Sequence, residues 1–293
     1  MNPSVALNAS WDIGKRTLDC NQGRNGFAPL VMGILNVTPD SFSDGGRHLD
    51  IEAAVAAALA MQHAGADIID IGGESTRPYS EPVDADEELR RVEPVIQQLR
   101  GQLEIPISID TSKASVARGA IAAGAEIIND VTGLQGDPDM ATVAADYGVG
   151  VCVMHMQGTP QTMQNNPMYG NVVDEIADYL AQRLDWCLNR GIERNRICLD
   201  PGIGFGKTHE HNLELIRNVT RFLSLGRPIL IGHSRKGFIG KLLGDKSADR
   251  DAGTLGVTLA VAAAGANIVR VHAVQPSVDA LRLFRACAGR SAS

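Results

Sequence analysis

Aromatic residues are scarce in this chain, 4% of 293 residues, which leaves few flat faces for stacking bases of single-stranded nucleic acid. A cationic surplus is missing as well. The formal net charge is −7, no run of like charge forms a tail, and phosphate backbones demand a basic face, so no nucleic-acid partner is expected. No run of 18 apolar residues occurs, so no membrane span is expected. The N-terminus lacks a cationic stretch followed by an apolar one, so no signal peptide is expected. Five cysteines, Cys20, Cys152, Cys187, Cys198 and Cys287, form an odd set without CxxC spacing. Free thiols in a cytoplasmic protein are the simplest expectation; Cys152 and Cys198 fall in apolar runs, where a thiol packs as a small hydrophobe.

What the chain has in plenty is small and branched apolar residues, within a hydrophobic total of 44%. They recur in a phrase: Ala64-Gly65-Ala66-Asp67-Ile68-Ile69, Ala123-Gly124-Ala125-Glu126-Ile127-Ile128 and Ala264-Gly265-Ala266-Asn267-Ile268-Val269. Each copy follows an Ala-rich helical stretch. The glycine supplies the left-handed residue that ends a helix, and the apolar run after it reads as a parallel strand buried on both faces. Continuing that alternation predicts strands at 30–36, 67–71, 106–110, 126–130, 149–154, 196–199, 228–231 and 267–271. Helices are expected over 50–63, 85–100, 113–122, 138–147, 171–190, 211–223, 250–264 and 276–287. Asp84 and Glu87 resemble a capping box before the second helix. Eight strand–helix units are the arithmetic of a closed (β/α)₈ TIM barrel, an α/β fold. The first strand runs into Asn36-Val37-Thr38-Pro39 rather than a GxGxxG turn, which argues against an open doubly wound sheet. Residues 1–28 lack the repeat and are expected to form an N-terminal extension, a hairpin or a cover across the barrel bottom; residues 29–293 form the barrel.

Catalytic groups in such barrels come from the C-terminal ends of the strands, and polar residues gather there. In order they are Asn36; Asp70 with Glu74-Ser75-Thr76-Arg77-Pro78; Asp110; Asn129-Asp130; Met154-His155; Asp200; His233-Ser234-Arg235-Lys236; and Arg270 with His272. Wet loops account for some of these. They do not account for cations from three strands (Arg77, Lys236, Arg270, His272) converging in an acidic protein, which points to a phosphate- or diphosphate-bearing substrate. Asp110, Asn129 and Asp200 offer the acceptors and donors that recognise a flat, amide-like heterocycle, although each taken alone is also read as an orienter of its loop.

Two motifs mislead. Gly202-Ile203-Gly204-Phe205-Gly206-Lys207-Thr208 resembles a phosphate loop, but Pro201 stands where GxxxxGK[ST] needs glycine; its glycines are expected to let backbone approach a bound ring. His209 and His211 are two apart without further His or Cys nearby, so a solvated helix face is expected rather than zinc.

These residues carry a resemblance to a known family. Met32-Gly-Ile-Leu-Asn-Val-Thr-Pro-Asp-Ser-Phe-Ser-Asp-Gly-Gly46 and Gly65-Ala-Asp-Ile-Ile-Asp-Ile-Gly-Gly-Glu-Ser-Thr-Arg-Pro78 look like the two signatures of the dihydropteroate synthases of folate biosynthesis. The likeness continues through every strand end over roughly residues 30–285 and does not cover the first 28. It implies that 4-aminobenzoate displaces diphosphate from (7,8-dihydropterin-6-yl)methyl diphosphate, with Mg²⁺, giving 7,8-dihydropteroate. It also implies that Asp110, Asn129, Asp200 and Lys236, with Met154, Phe205 and Gly232, hold the pterin. Asn36, Arg77, Arg270 and His272 would hold the diphosphate, Asn36 also as the Mg²⁺ contact. Thr76, Pro78, Ser234, Phe42 and Phe205 would surround the aminobenzoate. No acid or base is implied; Lys236, Arg270 and His272 act electrostatically. The segments 37–48 and 74–83 are expected to close over the site, and a homodimer through the last helices is expected from the family.

Other readings stay open on the residues alone. A pterin-binding methyltransferase using methyltetrahydrofolate would share Asp110, Asn129 and Asp200 without needing Arg77, Arg270 and His272. A Schiff-base aldolase would need Lys236 with a depressed pKa, against which Arg235 and the nearby carboxylates are expected to keep it charged. A non-catalytic pterin-binding paralogue would be expected to have lost some member of the set.

Overall fold

A computed structural model describes residues 9–24, 26, 29–38, 46–76, 80–245 and 249–288. A hairpin of β1 (Ser10–Asp12) and β2 (Thr17–Asp19) precedes the barrel. The barrel strands are β3 (Leu30–Asn36), β4 (Ile68–Gly72), β5 (Ile107–Asp110), β6 (Ile127–Asp130), β7 (Gly150–Met154), β8 (Ile197–Asp200), β9 (Leu230–Ile231) and β10 (Ile268–Val271). All pair in parallel in the order β8-β7-β6-β5-β4-β3-β10-β9, and a bridge between Leu199 and Ile229 closes the ring. This is the expected single-domain α/β barrel, with strand starts within two residues of those read from the sequence.

The helices are α1 (Gly46–His63), α2 (Ala85–Leu99), α3 (Ala114–Ala123), α4 (Met140–Tyr147), α5 (Val172–Leu188), α6 (His209–Arg217), α7 (Val219–Leu223), α8 (Gly237–Leu242), α9 (Asp251–Ala263) and α10 (Val274–Cys287). Two departures from the expected set have local causes. The single helix expected over 211–223 breaks into α6 and α7 at Asn218, whose side-chain amide donates to the Glu214 carbonyl at 2.8 Å and competes with the backbone ladder. The short α8 follows β9 directly, and its six residues are too few to give a helical period. Asp84 caps α2 by accepting from Glu87 N, but the Glu87 carboxylate binds Arg90 and Arg91, so the expected reciprocal box is half made.

The repeated phrase serves as predicted. Gly124 ends α3 at φ +142°, in the left-handed region that glycine enters without steric cost. The polar residue that follows in each copy is a staple. Asp67 accepts from Val31 N at 2.8 Å, Asn267 Oδ1 accepts from Ile229 N at 2.9 Å, and Glu126 takes both arms of Arg16 from the hairpin.

Strand alternation sets up the site. Ile68, Ile127, Cys152, Cys198, Leu230 and Ile268 pack together inside the barrel with Met32 and Leu30, beneath Trp11, Ile13 and Cys20 of the hairpin. Trp11 is fully buried and donates its indole N–H to the Arg196 carbonyl at 2.8 Å. Side chains two residues apart share a face. The next lumen positions are therefore Asp70, Asn129, Met154, Asp200, Gly232 and Arg270. Along β4, β8 and β10 the lumen turns from apolar to charged within one step.

Candidate active site

That step brings Asp70, Asp110, Asn129, Asp200, Lys236 and Arg270 together at the barrel mouth. Arg270 crosses it: Nε donates to Asp70 Oδ2 and Nη2 to Asp110 Oδ2, each at 2.6 Å. Asn129 Nδ2 donates to the same Asp70 oxygen at 3.1 Å. The other oxygens, Asp70 Oδ1 and Asp110 Oδ1, are buried without a hydrogen-bond partner among the described residues. A buried acceptor left unpaired costs about 1–3 kcal/mol, so this pair leaves two acceptor positions open at the mouth. Gly72 keeps the space open: a Cβ there would stand 3.5 Å from Asp110 Cβ and 3.9 Å from Asn36 Oδ1. Asp200 is held from below by Gly202 N at 2.7 Å.

Burial governs the charges. It raises the Asp110 carboxyl to about 7, against the pull of Arg270, and raises Asp200 to about 6, against Gly202 N–H and Lys236. Burial works against the charge of Arg270 too, but Asp70 and Asp110 outweigh it and hold the guanidinium protonated. Lys236 falls to about 8, through burial and then Arg270. Asp200 and Asp110 pull it back up, so Lys236 stays predominantly charged at neutral pH, as expected, although burial and Arg270 lower it from its ordinary value. Arg235 plays no part there; it turns away to clasp Asp251 at 2.6 and 2.8 Å.

An apolar wall flanks the charges: Met154, Phe205, Val131 and Met163 form one buried cluster. The Lys236 ammonium lies 3.9 Å over the Phe205 ring. On the other side Ser234 Oγ and His272 Nδ1 are 2.9 Å apart, and Ser234 Oγ accepts from His272 N at 3.2 Å. Asn36 and Thr76 are half-buried at the ends of β3 and β4. Phe42, Arg77 and Pro78 lie outside the described residues, as do parts of both segments expected to close over the site.

Two readings need correction. The glycines of 202–206 have φ values of +71°, +83° and +62°, and what approaches them is protein. A Cβ on Gly202 would meet the His155 carbonyl oxygen at 1.9 Å, one on Gly204 the Lys236 side chain at 2.9 Å, and one on Gly206 the Gln157 carbonyl at 2.5 Å. His211 is not a solvated histidine: it completes a capping box with Thr208 at the start of α6 and meets the Tyr169 ring edge-on at 5.0 Å. Lys207, at the end of the same turn, is buried, donates to the Phe205 carbonyl at 2.7 Å and sits 3.0 Å from His155 Nδ1. Burial and Lys207 push His155 down to about 3, so it stands there as a neutral acceptor.

Asp70 went without a role in the sequence, although it carried a signal. It is the one charge in the run Ile68-Ile69-Asp70-Ile71, on the lumen-facing parity. His233 sits at a strand end yet is fully buried between the Ile231 carbonyl, the Thr254 carbonyl and Thr258 Oγ1, so it serves packing.

A closed parallel barrel with unpaired carboxylate oxygens, a spanning arginine and an apolar wall defines an enzyme class that seats a polar heterocycle at its strand ends. Residues 32–272 match the pterin binding enzyme family, and the chain belongs to that family. Within it, a dihydropteroate synthase of Escherichia coli (strain K12) is 46% identical over 258 residues, 88% of this chain and 91% of that protein. The structure of Xanthomonas albilineans dihydropteroate synthase with 4-aminobenzoic acid superposes with a TM-score of 0.88 at 43% identity, covering 97% of this chain and all of that one. The same enzyme in complex with 7,8-dihydropteroate gives a TM-score of 0.84 at 42% identity, over 96% of this chain and 100% of that one.

Proposed function

We infer that the barrel mouth carries out the dihydropteroate synthase reaction, the step of folate biosynthesis that joins a dihydropterin to 4-aminobenzoate. The observation that carries this is the pair of unpaired carboxylate oxygens, Asp70 Oδ1 and Asp110 Oδ1, in a chain 46% identical to a dihydropteroate synthase over most of its length. The C–O bond between the pterin methylene and the diphosphate breaks with its electron pair on oxygen. The lone pair of the aryl amine forms the C–N bond, and the amine proton goes to solvent.

The residues divide as follows. Asp110, Asp200 and Asn129 accept from and donate to the amide and amidine edge of the pterin. Lys236 adds a donor, Met154 and Phe205 cover a ring face, and Gly232 leaves room beside Asp200. Asn36 orients the leaving diphosphate, and Arg270, His272 and Arg77 stabilise its charge, an electrostatic effect that grows as the bond breaks. Thr76, Pro78, Ser234, Phe42 and Phe205 surround the aminobenzoate. The electron-rich dihydropterin ring stabilises a cationic methylene, so bond breaking runs ahead of bond making and no general base is needed.

Magnesium fits this donor set in one way. Asn36 offers a single amide oxygen at the strand end, and among the described residues no group of three His, Cys, Asp or Glu could hold a metal. A hard cation that prefers oxygen ligands and keeps most of its waters would need no more than this from the protein. When bound, Mg²⁺ would offset charge on the departing diphosphate, with Asn36 as its protein contact.

The test is diphosphate release from the pterin diphosphate with and without 4-aminobenzoate and Mg²⁺. Dihydropteroate should form only when all are present; no Mg²⁺-dependent product would overturn the assignment. The pH profile is the second expected result. Asp200 and Asp110 must be ionised to accept N–H donors, and Lys236 must be protonated to donate. kcat/KM for the pterin substrate should therefore rise as pH increases through about 6 to 7 and fall above about 8, since this ratio reports groups of the free enzyme. Lys236→Arg should abolish the alkaline fall; an unchanged fall would remove Lys236 from the site.

The chain is also proposed to form a homodimer. Support comes from α9, which leaves Ala252, Gly256, Ala260 and Ala263 exposed at helical spacing, beside Leu283 on α10 at 66% exposure. Sedimentation should give a dimer that Gly256→Arg dissociates. Among the described residues no helix is long and apolar enough to cross a membrane, and five free thiols support a cytoplasmic enzyme.

A further inference from the structure

The segment from β4 to α2 is closed at its two ends by one carboxylate. Glu74 Oε1 accepts the backbone N–H of Val83 at 3.1 Å, and its other oxygen accepts from Lys113 Nζ. The same ammonium donates to Glu88 Oε2 at 2.5 Å. Glu88 belongs to α2 and is fully buried. Next to Glu74, the Gly73 carbonyl accepts from Arg91 Nη1 at 2.9 Å, and a Cβ on Gly73 would stand 2.9 Å from Val92 and 3.0 Å from the Glu88 carbonyl. Ser80 Oγ donates to the Ser75 carbonyl at 2.5 Å. Thr76 is carried on the segment so clasped, and Lys113 follows Asp110 by three positions at the end of β5.

An ammonium between two carboxylates, all of them 24% exposed or less, is a poor way to add stability. Desolvation offsets most of the attraction, and apolar replacements are often neutral. What such a cluster does supply is a fixed geometry. Here that geometry joins the strand bearing a pterin carboxylate to the root of the segment bearing an aminobenzoate contact.

We propose that Lys113 is a positioning residue for the aminobenzoate half of the site: by drawing Glu74 onto Val83 and Glu88 it sets the root of the segment that carries Thr76. The proposal rests on the function inferred above. Glu74 and Glu88 hold the ammonium in its charged form against the effect of burial.

Lys113→Met, Lys113→Arg and Glu74→Gln test it in the full-length enzyme. Lys113→Met should raise KM for 4-aminobenzoate by roughly 10–100-fold, the scale of a misplacement of about 1 Å. Kd for the pterin diphosphate, measured by calorimetry, should stay within about twofold, and Lys113→Arg should recover most of the loss, a split that a general loss of packing does not produce. Should Lys113→Met fail to fold, Glu74→Gln, which loses the charge but keeps an acceptor for Val83 N–H, should show the same split. An aminobenzoate KM within about twofold of wild type, or equal losses for both substrates, would overturn the proposal. Hydrogen exchange of the Val83 amide reads the clasp without chemistry. Protection unchanged in Lys113→Met would sink the clasp even in an enzyme that made product, whereas a wild-type chain that made none would overturn the assigned reaction instead.

Discussion

Replacing Arg270 by methionine should lower the stability of the unliganded enzyme by about 3–5 kcal/mol, the cost of removing one partner from a buried ion pair. Asp70 is fully buried and Asp110 nearly so, and Arg270 is what both pair with. The loss should shrink at low pH, and the sign follows from Asp110. Its folded-state pKa is raised to about 7, so between the unfolded value near 4 and that point the folded state binds more protons. Stability from this group therefore grows as pH falls through that window, and removing Arg270 accentuates the trend by taking away the attraction that favours the anion. The same variant should lose roughly 10²–10³ in kcat, the scale of removing one preorganised charge from a transition state. Arg270→Lys should restore little of either, since one ammonium cannot replace a planar fork that reaches two carboxylates. Urea denaturation at two pH values, with steady-state kinetics, checks each part. A methionine variant as stable as wild type at neutral pH would mean that the three-way cluster contributes nothing net.

Gly202→Ala should be nearly as damaging, although it adds a single methyl group and changes no charge. A left-handed φ of +71° costs a non-glycine residue about 1–2 kcal/mol, and forced overpacking adds about 1–3 kcal/mol. The obstacle is backbone: the new Cβ would lie 1.9 Å from the His155 carbonyl oxygen, so the turn must move. Moving it withdraws the Gly202 N–H from Asp200, now 2.7 Å away, and pterin affinity should fall along with stability. Thermal unfolding and pterin titration of this variant decide the matter; a melting curve and Kd equal to wild type would show that the turn has slack.

The barrel was legible because its units repeat. Three near-identical helix-to-strand phrases located three of the eight boundaries, and the strand ends so placed marked where polar residues gather. Asn129, Asp200, Arg270 and Lys236 were readable because they stand at or just past those ends. Asp70 was visible as the one charge in an apolar strand, but its partner comes from a strand 200 positions later, and no local pattern carries that pairing. The turn at 202–206 and the Thr208–His211 cap misled for a related reason. The glycines were read as room for a bound ring and His211 as a solvated side chain, whereas in both cases the nearest neighbour is the chain itself. Glu74, Lys113 and Glu88 are spread over three elements, and their meeting depends on α2 packing beside the ends of β4 and β5.

Trp11, Ile13 and Cys20 of the hairpin pack against the apolar layer at one end of the barrel, and the charged residues stand at the opposite end of the same strands. What seals the floor is thus kept apart from what reacts at the rim, so changes in the hairpin should read out as lost stability and leave the chemistry of the rim intact.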